Sequence, residues 1–229
     1  LDVVAGMIYL LDVNAGQDNL LLKGENYKYL IKVRRHQEGD RVAFRNPQEI
    51  EILHTYELVT VEPRSAAFEL VSSQRLEVKA EKELHIAWCV IDSKSVEKVL
   101  ASLNEIGVKK ISFIYCERSQ KNFKPDLKRY ARILEASNQQ CGRTSLMEFD
   151  TFKSVSKFIE VYPDTKVFDF TQKTLGCESD FKTVLIGCEG GFSPKEKEFL
   201  KQQEVFRLDT PMVLRSESAA LAVAAKILF

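Results

Sequence analysis

The chain has 229 residues, of which 45% are hydrophobic and 29% charged, with 33 basic and 33 acidic side chains and a formal net charge of zero. That balance fits an ordinary globular protein with room for one large domain or two modest ones, and it argues against a protein that coats nucleic acid without selectivity. No apolar run approaches the roughly 20 residues that span a bilayer and no secretory leader is apparent, so a cytoplasmic protein with no membrane partner is expected.

From Met7 to about Ser72 the apolar runs are short: Met7–Leu11, Tyr29–Val33, Arg41–Phe44, Glu51–Leu53, Glu57–Val61 and Ala67–Val71. Asn14-Ala-Gly-Gln17, Glu38-Gly-Asp40 and Asn46-Pro47 supply breaks between them, which predicts a small all-β barrel with one short helix near Gly24 to Val33. Lys32, Arg34, Arg35, His36 and Arg41 form a basic cluster beside a turn, either a solvated face or a set of phosphate contacts.

Beyond Gln74 the rhythm changes, and a boundary is expected between residues 1–73 and 74–229. Glu83 to Ile91 is a strand containing Trp88, Asp92-Ser93 caps a helix with Val96, Val99, Leu100, Leu103 and Ile106 on one face, and Gly107 stops it. Lys110 to Tyr115 resumes as strand, so this is a βαβ unit and predicts a parallel sheet. Glu117-Arg118-Ser119 ends that strand. A helix from about Pro125 to Gln140 carries Lys128, Arg129 and Arg132, which with Lys121 and Lys124 make a second basic track or a solvated face. Cys141-Gly142-Arg143-Thr144 closes it, Leu146–Phe149 is a strand, Thr151–Val161 a helix, Lys166–Phe170 a strand, and Glu178 to Asp180 a polar approach to the next strand.

Thr183–Ile186 is a β-branched run that breaks into Gly187, Gly190 and Gly191 and then into Ser193-Pro194, the signature of a buried strand, a glycine loop and a capped helix. The glycine spacing is neither that of a dinucleotide-binding turn nor that of a P-loop. Taken alone it is a tight turn or a place where a ligand meets backbone. Leu214 to Leu221 then sets Arg215 just before a helix N-terminus, with Glu217 in its first turn and an alanine-rich remainder. Ligands in parallel sheets sit beyond the strands' carboxyl ends, which selects three loops: Phe170–Lys173, Gly187–Gly191 and Leu208–Arg215. Five widely spaced cysteines without a C-x-x-C pair and three scattered histidines read as free thiols and no metal site.

Ile186-Gly187-Cys188-Glu189-Gly190-Gly191-Phe192-Ser193-Pro194 and Val213-Leu214-Arg215-Ser216-Glu217-Ser218-Ala219-Ala220 resemble the paired motifs of the RsmE-type 16S ribosomal RNA uridine-N3 methyltransferases of the SPOUT superfamily. Glu117-Arg118-Ser119 and Arg132 through Gly142-Arg143-Thr144 are similar to two further segments in matching order, so the resemblance spans nearly the whole chain. It departs from the family at Cys188, where proline is usual, and around Asp209–Met212.

The resemblance implies an α/β trefoil-knot methyltransferase domain preceded by a PUA-like β-barrel that binds RNA. It implies S-adenosylmethionine held by Phe170, Thr171, Ile186, Gly187, Gly190, Gly191, Leu208, Val213, Leu214 and Ser216, in a homodimer whose interface completes the site. Arg215 is the candidate for stabilising a developing uracil anion, and Glu189 or Glu217 for taking the N3 proton. Each has a plainer alternative, as an ion pair at a helix end or as an N-terminal helix acid. Arg34, Arg35, Arg118 and Arg143 are candidate RNA contacts, with surface salt bridges as the alternative, and the expected substrate is 16S rRNA or the assembled small ribosomal subunit. A catalytically inactive RNA-binding or assembly protein on the same fold, and a related enzyme acting on transfer RNA, are the other two functions the sequence allows.

Overall fold

In the computed structural model, which describes residues 8–120, 122–176 and 181–229, the chain divides into two units. One comprises the described residues up to Lys79 together with Asn138–Ser145; the other comprises those of Ala80–Ser137 and Leu146–Phe229. Met7, Lys121, Cys177 and the predicted approach Glu178–Asp180 lie outside the described residues.

The first unit is built on strands β1 (Leu10–Leu11), β2 (Asn19–Lys23), β3 (Arg41–Arg45), β4 (Ile52–Val61) and β5 (Ser65–Arg75), in the sheet order β1-β3-β4-β5-β2. β2, β3, β4 and β5 pair antiparallel with their neighbours, while β1 joins β3 in parallel. β2 shows why: Leu20 and Leu22 point inward and Asn19, Leu21 and Lys23 outward, the alternation of a strand with one buried face. These leucines meet Phe44, Tyr56, Leu58 and Phe68 in one core, in which Phe44 stands edge-on to Tyr56 and Phe68 at 5.5 and 5.4 Å. The predicted helix is present as α1 (Gly24–Tyr27) running into a π-helical turn, Lys28–Val33. β4 and β5 are longer than the sequence runs. The polar His54-Thr55 and Ser72-Ser73 stay in the ladder, which shifts register between Thr55 and Tyr56. Residues 138–145 belong to this unit because Tyr9 N donates to Gln139 O at 3.0 Å, Tyr9 Oη to Arg143 O at 2.8 Å and Val78 N to Thr144 Oγ1 at 3.0 Å.

The second unit holds β6 (His85–Cys89), β7 (Lys110–Ile114), β8 (Glu148–Phe152), β9 (Lys166–Phe168), β10 (Thr183–Ile186) and β11 (Val205–Phe206) in the order β11-β9-β10-β6-β7-β8, every pair parallel. β6 is buried at every position, as a central parallel strand covered on both faces must be. α2 (Ser93–Ile106) starts on Asp92, whose carboxylate accepts from Ser95 N at 3.1 Å. It ends on Gly107 at φ +107°, where a Cβ would lie 2.6 Å from that of Ala80, so only glycine fits. α3 (Leu127–Cys141, of which Asn138–Cys141 belong to the first unit), α4 (Val155–Val161), α5 (Pro194–Leu200) and α6 (Ser216–Leu228) complete the helices, with α6 packed on α2 and β10.

Two boundaries differ from the sequence expectation. β8 runs on to Phe152 and α4 begins only at Val155, because Asp150 faces Ser112 in the ladder and pairs with Lys110 at 2.8 Å, while Ser154 caps the helix. β11, two residues beside β9, is too short to show a period in sequence. The chain moves outward from β6 to β7 and β8, then returns across the sheet to β9 and β10. The order therefore reverses at β6, which opens a crevice at the carboxyl ends of β6 and β10. Among the described residues no helix is long and apolar enough to cross a membrane.

Candidate active site

The glycine loop follows β10 at that crevice. Gly191 N donates to Cys188 O at 2.8 Å, and Gly191 adopts φ +63°, the left-handed conformation that glycine takes without a Cβ penalty. The turn delivers the chain to α5, started by Pro194 and a reciprocal cap: Ser193 Oγ accepts from Glu196 N at 3.2 Å and Glu196 Oε2 accepts from Ser193 N at 2.9 Å. Glu196 Oε1 also accepts from Glu117 N at 2.9 Å, fixing the loop after β7 beside α5. From that loop Arg118 Nη1 donates to Gly190 O at 2.7 Å.

The other wall is set by Ser216, the first residue of α6. Its buried hydroxyl accepts from Trp88 Nε1 at 2.8 Å and donates to Gly187 O at 2.5 Å, so one side chain joins β6, the glycine loop and the last helix. Between these walls lies a cavity of about 540 Å³, lined by the end of β9 and the two residues after it (Phe168–Phe170), the loop Ile186–Phe192, the segment from Arg207 to Ser216, Arg118 and Lys197. Phe170 and Val213, each 77% exposed, form its lip. Asp169 sits in the wall, paired with Lys197 at 3.0 Å and accepting from Phe170 N at 2.9 Å.

Three thiols gather beneath the glycine loop. Cys116 Sγ and Cys188 Sγ are 3.7 Å apart, and Cys89 is buried beside Cys116. Hydrogen bonds from the Cys188 and Cys89 thiols hold Cys116 below the usual thiol range, while the bond to Cys116 and burial push Cys188 up.

The cavity gathers most of the sequence candidates. Arg215, Glu189 and Arg118 line it, as do Phe170, Ile186, Gly187, Gly190, Gly191, Leu208, Val213, Leu214 and Ser216. Arg215 and Glu189 are exposed and form no ion pair among the described residues. Thr171 is not in the lining. Glu217 is buried, away from the cavity wall, with Oε2 lacking a hydrogen-bond partner among the described residues. Arg143 is 6% exposed, its Nε donating to Ser145 Oγ at 2.9 Å, a position inside the first unit rather than on a surface that RNA would touch. Arg34 and Arg35 are exposed, with the Arg34 guanidinium 5.3 Å over the Tyr29 ring. Sequence reasoning passed over Asp169, Lys197 and Arg207. Asp169 was findable, since it directly follows β9 at the end of the sheet where ligands bind.

A parallel α/β sheet with a glycine-walled cavity at its strand-order reversal has the arrangement in which proteins of this class bind nucleotides or cofactors of similar size. Residues 78–228 match the family model described as an RNA methyltransferase domain. The chain is 41% identical over 209 residues to the ribosomal RNA small subunit methyltransferase E of Helicobacter pylori, covering 90% of this chain and 92% of that one. Its fold is similar to that of a Legionella pneumophila protein solved with bound SAM (TM-score 0.73, 20% identical, 96% and 95% covered). It is also similar to that of the ribosomal RNA small subunit methyltransferase E of Neisseria gonorrhoeae, solved with S-adenosyl methionine (TM-score 0.71, 17% identical, 96% and 95% covered). The chain belongs to the RNA methyltransferase family.

Proposed function

We propose that this protein transfers a methyl group from S-adenosylmethionine to N3 of a uridine in 16S rRNA, acting on the RNA or on the small ribosomal subunit. The observation that carries the proposal is the single cavity wall shared by the glycine loop, the Leu208–Arg215 segment and Arg118. The lining fits the cofactor in chemistry as well as size: Phe168, Ile186, Leu208 and Leu214 offer an apolar face to an adenine, the glycine loop offers backbone groups, and Asp169 offers a carboxylate to an amino or hydroxyl group. Curated relatives named as small-subunit rRNA methyltransferases support the same substrate.

When bound, the cofactor supplies an electrophilic methyl group. The protein's part is to orient the uracil, exclude water and stabilise the charge that develops as N3 loses its proton. Arg215 stands at the N-terminus of α6 with a guanidinium that forms no ion pair among the described residues, a fixed positive charge suited to the uracil oxygens. Glu189, at the cavity rim, is the carboxylate placed to hold the released proton; the burial of Glu217 favours Glu189 over it. Arg118 and the exposed Arg34 and Arg35 are proposed RNA contacts.

The proposal extends to the fold's finer features. The all-β unit is a PUA-like barrel in this account, and the C-terminal segment passes through the sheet's return loop as a trefoil knot, consistent with Ser216 being held against Gly187 and Trp88. A second copy covers the lip at Phe170, Met212 and Val213, where large apolar side chains are exposed. Incubation of the purified protein with methyl-labelled S-adenosylmethionine and, separately, small subunits or transfer RNA tests the function. Label in 3-methyluridine of 16S rRNA is expected. Label confined to transfer RNA, or cofactor binding absent by calorimetry, refutes it.

A further inference from the structure

A second cavity, of about 660 Å³, opens at the carboxyl ends of β7 and β8, on the side of the sheet that carries the first cavity. Lys153 and Lys195 stand in its wall, and neither forms an ion pair or hydrogen bond among the described residues. Lys109, Lys110, Lys157, Lys166, Lys173 and Lys197 of this unit are paired with carboxylates, whereas Lys153 and Lys195 are among those that are not. Two ammonium groups without a carboxylate partner in one concave site are available as charged donors, and the group they would share is a phosphodiester.

The remaining lining specifies more than an anion. Phe199 presents an exposed ring on α5 and Tyr115 a ring held in place by its hydroxyl's hydrogen bond to Phe123 O at 2.8 Å. Aromatic faces of this kind stack an unpaired base. Glu196 keeps its charge, but its two oxygens are held by Ser193 N and Glu117 N, so it is not in direct contact with either lysine and a phosphate would meet the ammonium groups by direct hydrogen bonds rather than through a net positive field. The Glu117 carboxylate, in the wall, has no partner among the described residues and is an acceptor suited to a ribose 2′-hydroxyl. The two cavities adjoin: Glu117 lines one and Arg118 the other, and α5 contributes Lys195 to one and Lys197 to the other.

We infer that this second cavity binds a nucleotide of the single-stranded RNA flanking the base to be modified, with Lys153 and Lys195 on its phosphate and Phe199 against its base. The inference rests on the proposed methyl transfer to RNA and adds the site that positions the strand beside the target.

Filter binding of in vitro transcribed 16S rRNA to the full chain tests it, with Lys153→Ala, Lys195→Ala, the double variant and Phe199→Ala. All three positions border open solvent or the cavity, and Lys201→Ala, at an exposed lysine paired with Glu198, serves as control. The double variant is expected to bind about tenfold more weakly and to lose about 1.4 from the slope of log K against log salt, roughly 0.7 for each phosphate contact. S-adenosylmethionine affinity by calorimetry and kcat are expected to stay within about twofold, so the loss appears in KM for RNA. An unchanged affinity and slope in the double variant overturn the inference, as does failure of the wild-type chain to bind RNA. Methyl transfer assayed on the same samples separates the two proposals: an active wild type with an indifferent double variant removes only this site, whereas an inactive wild type that binds RNA through these lysines removes only the methylation.

Discussion

Ser216 makes the connection on which the site depends, because one hydroxyl serves Trp88 Nε1 and the carbonyl of Gly187 together. Ser216→Ala leaves a buried indole N–H and a loop carbonyl without that partner, at a cost of about 1–3 kcal/mol. Urea unfolding is expected to show that loss, and cofactor affinity to fall with it. Stability and affinity both equal to wild type would place the tie elsewhere. Arg215→Ala and Glu189→Ala are expected to fold normally and bind cofactor, with kcat reduced about 100-fold or more for Arg215; an unchanged kcat in Arg215→Ala would remove it from the proposed anion-stabilising role. Cys188 supplies a chemical probe of the same wall, since it lines the cavity with its thiol against Cys116. Its alkylation is expected to slow at least several-fold with saturating S-adenosylmethionine, and equal rates with and without cofactor would contradict the placement. Arg215 and Glu189 could be found in the sequence because they stand next to a glycine turn and a helix start, which are local signals. Glu217 and Arg143 could not be sorted from them, because burial is settled by distant segments. The Cys89, Cys116 and Cys188 cluster was likewise invisible, assembled from the ends of three separate strands.

At the scale of elements, β6, β7 and β8 carry a polar line through an otherwise apolar sheet. His85 Nε2 meets Ser112 Oγ at 2.6 Å, Ser112 donates to Asp150, and Lys110 pairs with Asp150 at 2.8 Å. Burial first, and then the Lys110 ammonium, lower the imidazole to about 4 against the opposing effect of Asp150. The unfolded chain takes up this proton near pH 6.5, whereas the folded chain refuses it until about pH 4, so stability is lost as pH falls through that window. The loss amounts to about 3 kcal/mol by pH 4. His85→Gln is expected to flatten the fall in stability between pH 7 and 4.5, measured by urea unfolding at each pH; wild type and variant falling in parallel would assign the acid sensitivity to other groups. The strand and helix types were legible here because Val96, Leu100 and Leu103 repeat at helical spacing and β6 is a continuous apolar run. The late start of α4 was not, since the Asp150 partners that keep the chain extended lie on β7.

For the whole molecule, the change from short strands to a βαβ rhythm after Gln74 announced two units, and the first of them ends at Lys79. The return of residues 138–145 to the first unit had no sequence signal, because it rests on single hydrogen bonds from Tyr9 and Val78. The sheet order was also hidden: periodicity tells that strands exist, while β10 lying between β9 and β6 is decided by packing. That order creates the crevice on which the proposed methylation depends. Mass mapping of modified nucleosides in 16S rRNA from a strain lacking this protein tests the central claim most directly. One 3-methyluridine is expected to disappear, returning with the wild-type chain and not with Arg215→Ala; 3-methyluridine unchanged in the deletion strain would contradict the account.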